Sequence, residues 1–178
     1  MRLDYFNNQN FDRGASDFKE FCWLLFCGFL FSTWLPGSSW RVSALRLFGA
    51  RIGIGVVIKP NIKVKFPWRL SIGDHCWIGE AVWIDNLDHV RLGSHVCISQ
   101  GTYICTGSHD WSKSTFDLIV KPITIDSHVW VGAMSRIAPG VHVGEGAILG
   151  FGSVVLQAVD PWTINKTSVI LQTKDRSH

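Results

Sequence analysis

From residue 52 onward an aliphatic side chain returns at every sixth position: Ile52, Ile58 and Val64, then Ile72, Ile78 and Ile84, then Leu92, Ile98 and Ile104. After a gap the series resumes as Ile125, Val131, Ile137, Val143, Leu149 and Val155. Four residues behind these runs a second, mostly small series: Val56, Cys76, Val82, Val96, Thr102, Val129, Ser135, Val141, Ala147 and Ser153. Ile62, Trp68 and Asp88 are its misfits. Three residues behind the aliphatics stand Gly55, Asn61, His75, His95, Gly101, Gly107, His128, Gly140, Gly146 and Gly152. Glycine takes positive φ freely, and Asn and His are enriched there among the other residues, so this position is a turn.

A repeat of six is neither helical nor a simple alternation. It predicts a parallel β-helix in which three short strands make one triangular coil. The large aliphatic fills the middle of each wall and the small residue fits the corner. No coil buries its inner face alone, so the coils must stack. The chain therefore reads as all-β, with about five coils over residues 51–160, a helical apolar extension over 1–50 and a tail over 161–178.

The register breaks at one place in the triangle. Equivalent positions 52, 72, 92, 125 and 143 make the first two coils 20 residues long and the last complete one 18. The extra residues fall between Val64 and Ile72 and between Ile84 and Leu92, and the long gap from Ile104 to Ile125 falls on the same corner. The chain leaves the coil there in a loop over 106–122 that holds His109, Asp110 and Trp111. Long ordered loops without secondary structure of their own are usually functional. An imidazole titrates near neutrality and suits acid–base work. Asp85 and Asn86 align one coil below Cys105 and Thr106, so they border the loop base and are candidates to bind an acceptor's hydroxyls.

Composition narrows the function classes. Seventeen Lys and Arg against fourteen acids give a net charge of +3, with the basic residues scattered, which excludes a nucleic-acid groove. Five cysteines without paired metal spacing read as reduced cytosolic thiols. The uncharged run Phe21–Leu35 makes a helix of about 22 Å, short of the roughly 30 Å hydrocarbon core. It packs on the β-helix or its oligomer neighbours, or it lies in a membrane interface.

The stretches "LRLFGARIG", "SIGDHCWIGE", "VWIDNL", "VCISQGTYICTGSHDWS" and "VKPITI" resemble the hexapeptide-repeat acyltransferases, and within them the acetyltransferases of colanic-acid and other exopolysaccharide biosynthesis. The resemblance covers residues 50 to 160 and implies a left-handed β-helix assembled as a homotrimer. It implies an O-acetyltransferase that takes acetyl-CoA as donor and a sugar or lipid-linked oligosaccharide as acceptor, at the cytoplasmic side of a membrane and without a metal. His109 is the residue matching the family's general base, and Asp85, Asn86, Asp110 and Trp111 are the acceptor-side candidates. Carried over by position, Trp130, Gly132, Ala133, Gly150, Phe151 and Ser153 border the donor, with the backbone N–H near Ala133 facing the oxyanion. The chain departs from the family at Phe151, usually a small residue, at Leu156 and Gln157, usually Thr-Lys, and in the terminal "PWTINKTSVILQ".

Two rival readings belong beside this one. His75, His95 and His128 share a turn position in successive coils, which raises a zinc site of the carbonic-anhydrase kind or simply a repeated turn residue. The degenerate tail raises a scaffold that keeps the fold without the chemistry.

Overall fold

A computed structural model describes residues 2–9 and 11–166. Its strands form three parallel walls. The first holds Arg51–Ile52, Leu70–Ile72, Val90–Leu92, Ile123–Ile125 and His142–Val143. The second holds Val57–Ile58, Trp77–Ile78, Cys97–Ile98, Trp130–Val131, Ile148–Leu149 and Ile164–Asn165. The third holds Lys63–Val64, Trp83–Asp85, Tyr103–Cys105, Arg136–Ile137 and Val154–Val155. The chain visits the walls in turn, so this is the parallel β-helix that the repeat of six predicts, with the left hand that the family resemblance implies.

Burial explains the register. Each column of aliphatics stacks on itself, as in Ile58↔Ile78↔Ile98↔Val131↔Leu149. All fifteen are buried except Ile52, which is half-buried in the first coil. The ten small residues are buried at the corners, and so is Ile62, which belongs to that series and is no misfit. Nine of the ten expected turn residues have positive φ; Gly107 does not, because it has entered the loop. Ala81 and Met134 adopt the same left-handed turn at φ 55° and 62°, at a cost of roughly 1 kcal/mol each, with no signal in their residue type. Coil stacking imposes the turn on them.

The N-terminal extension caps the first coil. Helix α1, Asp17–Phe26, starts at Ser16, whose hydroxyl accepts from the Lys19 amide at 3.3 Å, and continues through a wider turn at Cys27–Phe31. Helix α2, Ser39–Leu47, lies over the first coil, where the Ser38 hydroxyl accepts from the Ile58 amide at 2.8 Å. Trp23 is buried against Phe26, Phe31 and Phe48 and donates its indole N–H to the Val64 carbonyl at 3.0 Å. The opposite side of α1 and of the turn that continues it has no cover among the described residues: Phe18, Phe21, Leu25 and Phe29, spaced along one stripe, are all exposed. No helix among the described residues is long and apolar enough to cross a membrane.

Two boundaries shift. The loop over 106–122 has secondary structure after all, an antiparallel hairpin of Gly107–His109 with Leu118–Val120. The β-helix also outlasts residue 160, since Ile164–Asn165 pairs with Ile148–Leu149 and begins a sixth coil. The remainder of the expected tail, 167–178, lies outside the described residues.

Candidate active site

The hairpin leaves the corner between the third and first walls, where the register breaks. Its foot is fastened to the coil below: the Thr106 amide donates to the Asp85 carbonyl at 3.2 Å, and the Thr106 hydroxyl accepts from the Asp88 amide at 2.9 Å. His109 ends the outgoing strand opposite Leu118. Its Nδ1 lies 2.9 Å from the Phe116 carbonyl oxygen. A carbonyl only accepts, so Nδ1 carries a hydrogen, and in the neutral imidazole the lone pair is then on Nε2. The ring stacks on Phe116 at 4.3 Å and meets the edge of Phe6 at 5.3 Å. Phe116 has φ 51°, a left-handed conformation unusual for a bulky residue, and it is the backbone turn that aims its carbonyl at the histidine.

The other hairpin candidates build its tip. The Asp110 carboxylate accepts from the Ser112 amide at 3.0 Å and hydroxyl at 2.5 Å, and these bonds hold its carboxyl below the usual range. Trp111 projects into solvent beside it, 82% exposed.

Asp85 and Asn86 have separate fates. Asn86 is fully buried and clasps Phe66: its amide nitrogen donates to the Phe66 carbonyl at 2.7 Å, and its oxygen accepts from the Phe66 amide at 3.0 Å. It therefore holds two coils together and has no reach to an acceptor. Asp85 accepts from the Tyr103 hydroxyl at 3.0 Å and pairs with Lys65 at 3.2 Å. It also lines a groove of about 390 Å³ between α1 and the third wall, with Leu24, Gly28, Lys63, Lys65 and Trp83. Burial pushes the Tyr103 phenol up, reinforced by Cys105 and the Asp85 carboxylate. The sequence reading gave no role to Phe6, Phe116, Lys65 and Tyr103, because each acquires its place through contacts that form only in the folded chain.

The donor-side residues gather on the second wall. Trp130, Gly132, Ala133, Gly150 and Phe151 line one cavity of about 320 Å³ with Ser99 and Gln100. The Trp130 indole donates to the Ser99 hydroxyl at 3.0 Å, which fixes the ring along the wall. A Cβ on Gly132 would stand 2.7 Å from the Gly150 carbonyl carbon, so only glycine allows the coils to close there. Among the described residues no backbone carbonyl accepts from the Ala133 amide, and Gln100 and Phe151 share this feature in the neighbouring coils. Ser153 is the exception to the grouping. It is a buried corner residue whose hydroxyl donates to the Gly150 carbonyl at 2.7 Å, so it shapes the turn from inside.

His75, His95 and His128 form an exposed column with ring centroids 5.3 and 5.1 Å apart. Near-parallel rings direct their lone pairs along parallel lines, whereas a tetrahedral metal needs them to converge. No group of three His, Cys, Asp or Glu among the described residues could hold a metal ion.

Residues 122–157 match the family described as bacterial transferase hexapeptide (six repeats). The Escherichia coli (strain K12) protein named "Putative colanic acid biosynthesis acetyltransferase WcaF" is 38% identical over 149 residues, 83% of this chain and 81% of its own length. The hexapeptide-repeat-containing acetyltransferase VCA0836 of Vibrio cholerae superposes with a TM-score of 0.75 at 28% identity, covering 90% of this chain and 96% of that one. The same protein complexed with acetyl coenzyme A superposes at 0.67 with 29% identity, covering 71% and 70%.

Proposed function

Because the chain belongs to the hexapeptide-repeat family of bacterial acyltransferases, we propose that it moves an acetyl group from acetyl-CoA to a sugar hydroxyl in surface-polysaccharide biosynthesis. The observation that carries this reading is the imidazole of His109, held by Phe116 through Nδ1 and with no hydrogen bond to Nε2 among the described residues. In the reaction Nε2 takes the proton of the acceptor hydroxyl as that oxygen attacks the thioester carbonyl. A tetrahedral oxyanion forms, and a backbone N–H such as that of Ala133 stabilises it. Collapse breaks the carbon–sulfur bond, and the imidazolium returns its proton to the departing CoA thiolate.

The reaction needs more than one chain. The hairpin stands at the corner between the third and first walls, whereas the donor cavity opens on the second wall, so the third wall separates them. A homotrimer sets the hairpin of one subunit against the donor wall of the next, and the exposed Trp77 and Trp130 of that wall are the surface it covers. Asp85 in the groove beside α1 is the acceptor-side carboxylate in this arrangement.

The uncovered stripe of α1 has a place in the same reading. Phe18, Phe21, Leu25 and Phe29 face outward from a helix whose inner side is also apolar, and Lys63 and Lys65 border the groove next to Leu24. A short apolar helix with aromatic rings and adjacent lysines suits the headgroup region of an anionic bilayer. The enzyme then works at the cytoplasmic face, where a lipid-linked oligosaccharide presents its hydroxyls.

Calorimetric titration of the purified chain with acetyl-CoA tests the function. Saturable binding at one site per chain, followed by thiol release on addition of an acceptor sugar, is the expected result. A folded trimer that binds no acyl-CoA overturns it.

A further inference from the structure

The outward face of the first wall carries two cations that acetyl transfer leaves unused. Arg51, Ser71 and Arg91 are successive rungs of one ladder. Rungs lie about 4.8 Å apart, so the two arginines leave the wall about 10 Å from each other with a hydroxyl between them. With Trp68, Leu70 and His89 they line a cavity of about 290 Å³, and no Asp or Glu lines it.

The other cations of this chain show why the pair stands out. Eight arginines lie among the described residues. Arg2 and Arg13 are in ion pairs, Arg69 meets Asp12 and the Leu87 carbonyl, and Arg41 and Arg46 donate to backbone carbonyls. The guanidinium groups of Arg51 and Arg91 have neither a hydrogen bond nor an ion pair among the described residues; that of Arg136, on the third wall, is the one other such group. Further along the first wall, His142 has its own carboxylate, Asp126, at 2.7 Å. Two guanidinium groups facing one concavity repel each other, and a bound anion reverses the sign of that interaction with charge-assisted hydrogen bonds.

The cavity also has a meaningful address. His89 stands where the hairpin returns to the coil, since its carbonyl accepts from the Ile123 amide at 2.9 Å. Leu87, two residues earlier, packs beneath Gly107 at the hairpin's foot. The cavity thus borders the corner that carries His109.

We infer that the Arg51–Ser71–Arg91 cavity is an anion subsite of the acceptor, holding a carboxylate or phosphate borne by a sugar unit beside the one acetylated. This rests on the acetyl-transfer reading above. The acceptor is then an acidic or phosphorylated glycan, and a neutral one is a poor substrate.

The test is titration of the full chain with glucuronate, with glucose 1-phosphate and with glucose as the neutral control. At least one anion should bind saturably and weaken with added salt, and glucose should not bind; which anion binds identifies a carboxylate or a phosphate as the group recognised. Arg51→Gln combined with Arg91→Gln should weaken that binding about tenfold or more. Arg136→Gln, the same charge change elsewhere, should not. Equal binding by the double variant, equal binding of glucose, or displacement of the anion by CoA overturns the proposal, the last by assigning the cavity to the donor's phosphates. Acetyl-CoA titration of the same proteins separates the two failures. Loss of donor binding in the unsubstituted chain refutes acetyl transfer, whereas intact donor binding without anion binding refutes only the subsite.

Discussion

The Nδ1 atom of His109 lies 2.9 Å from the carbonyl oxygen of Phe116, and the two rings stack face to face at 4.3 Å. One residue thus fixes both the tautomer and the plane of the imidazole, a task given elsewhere to a carboxylate. His109→Ala should lower turnover by about 10²- to 10⁴-fold with the thermal midpoint unchanged. Phe116→Gly should keep the carbonyl but release the ring, lowering kcat about tenfold with the KM for acetyl-CoA little changed. Steady-state kinetics on both variants check this, and wild-type turnover in folded His109→Ala would refute the role of base.

Asn86 offers a test of structure against binding. Its two hydrogen bonds to Phe66 are buried, so Asn86→Ala leaves a backbone carbonyl and amide without partners. The expected loss is about 2–4 kcal/mol in denaturant unfolding, with the acceptor KM of the remaining folded enzyme unchanged. A raised KM without destabilisation would restore Asn86 to the acceptor site.

Phe151 lies at the rim of the donor cavity and is 71% exposed. Phe151→Ala should therefore shift stability by less than about 0.5 kcal/mol. Its effect belongs to acetyl-CoA affinity, read by calorimetry. No change in affinity would show that the donor passes this ring by.

Tyr103 carries a pH dependence whose sign follows from its burial. Its folded-state phenol is raised above the ordinary value, so the folded protein favours the protonated hydroxyl that donates to Asp85. The stability this contributes is present below the unfolded pKa of about 10 and is lost as pH rises above it. Ultraviolet titration should show a late phenolate component that disappears in Tyr103→Phe. A Tyr103→Phe variant with the same alkaline unfolding profile would contradict the assignment.

The exposed stripe of α1 predicts membrane association. Sedimentation with vesicles containing anionic lipid should carry down the unsubstituted chain, and Phe21→Ser with Phe29→Ser should stay in the supernatant. If instead the double variant loses its trimeric state while the unsubstituted chain ignores vesicles, the stripe is a subunit contact.

What the sequence by itself determined is the β-helix and the corner where its site is built. Each coil meets the same local demand, a large aliphatic in the wall and a small residue at the corner, so the demand is written once per six residues and its interruption marks the hairpin. Ala81 and Met134 show where that legibility stops, since they take left-handed turns only because the coils on either side require it. The site itself was decided by tertiary structure. Asn86 and Asp85 are neighbours in sequence, yet alternation across the strand end buries one against Phe66 and turns the other to a groove closed by α1. Phe116 reaches His109 because an antiparallel hairpin folds back on itself, and Arg51 meets Arg91 because two full coils of chain return to the same face. The repeat places Arg51 above Arg91 and Asn86 beside Phe66, but no periodicity relates Phe116 to His109, and the energies of all these contacts exist only once the coils have stacked.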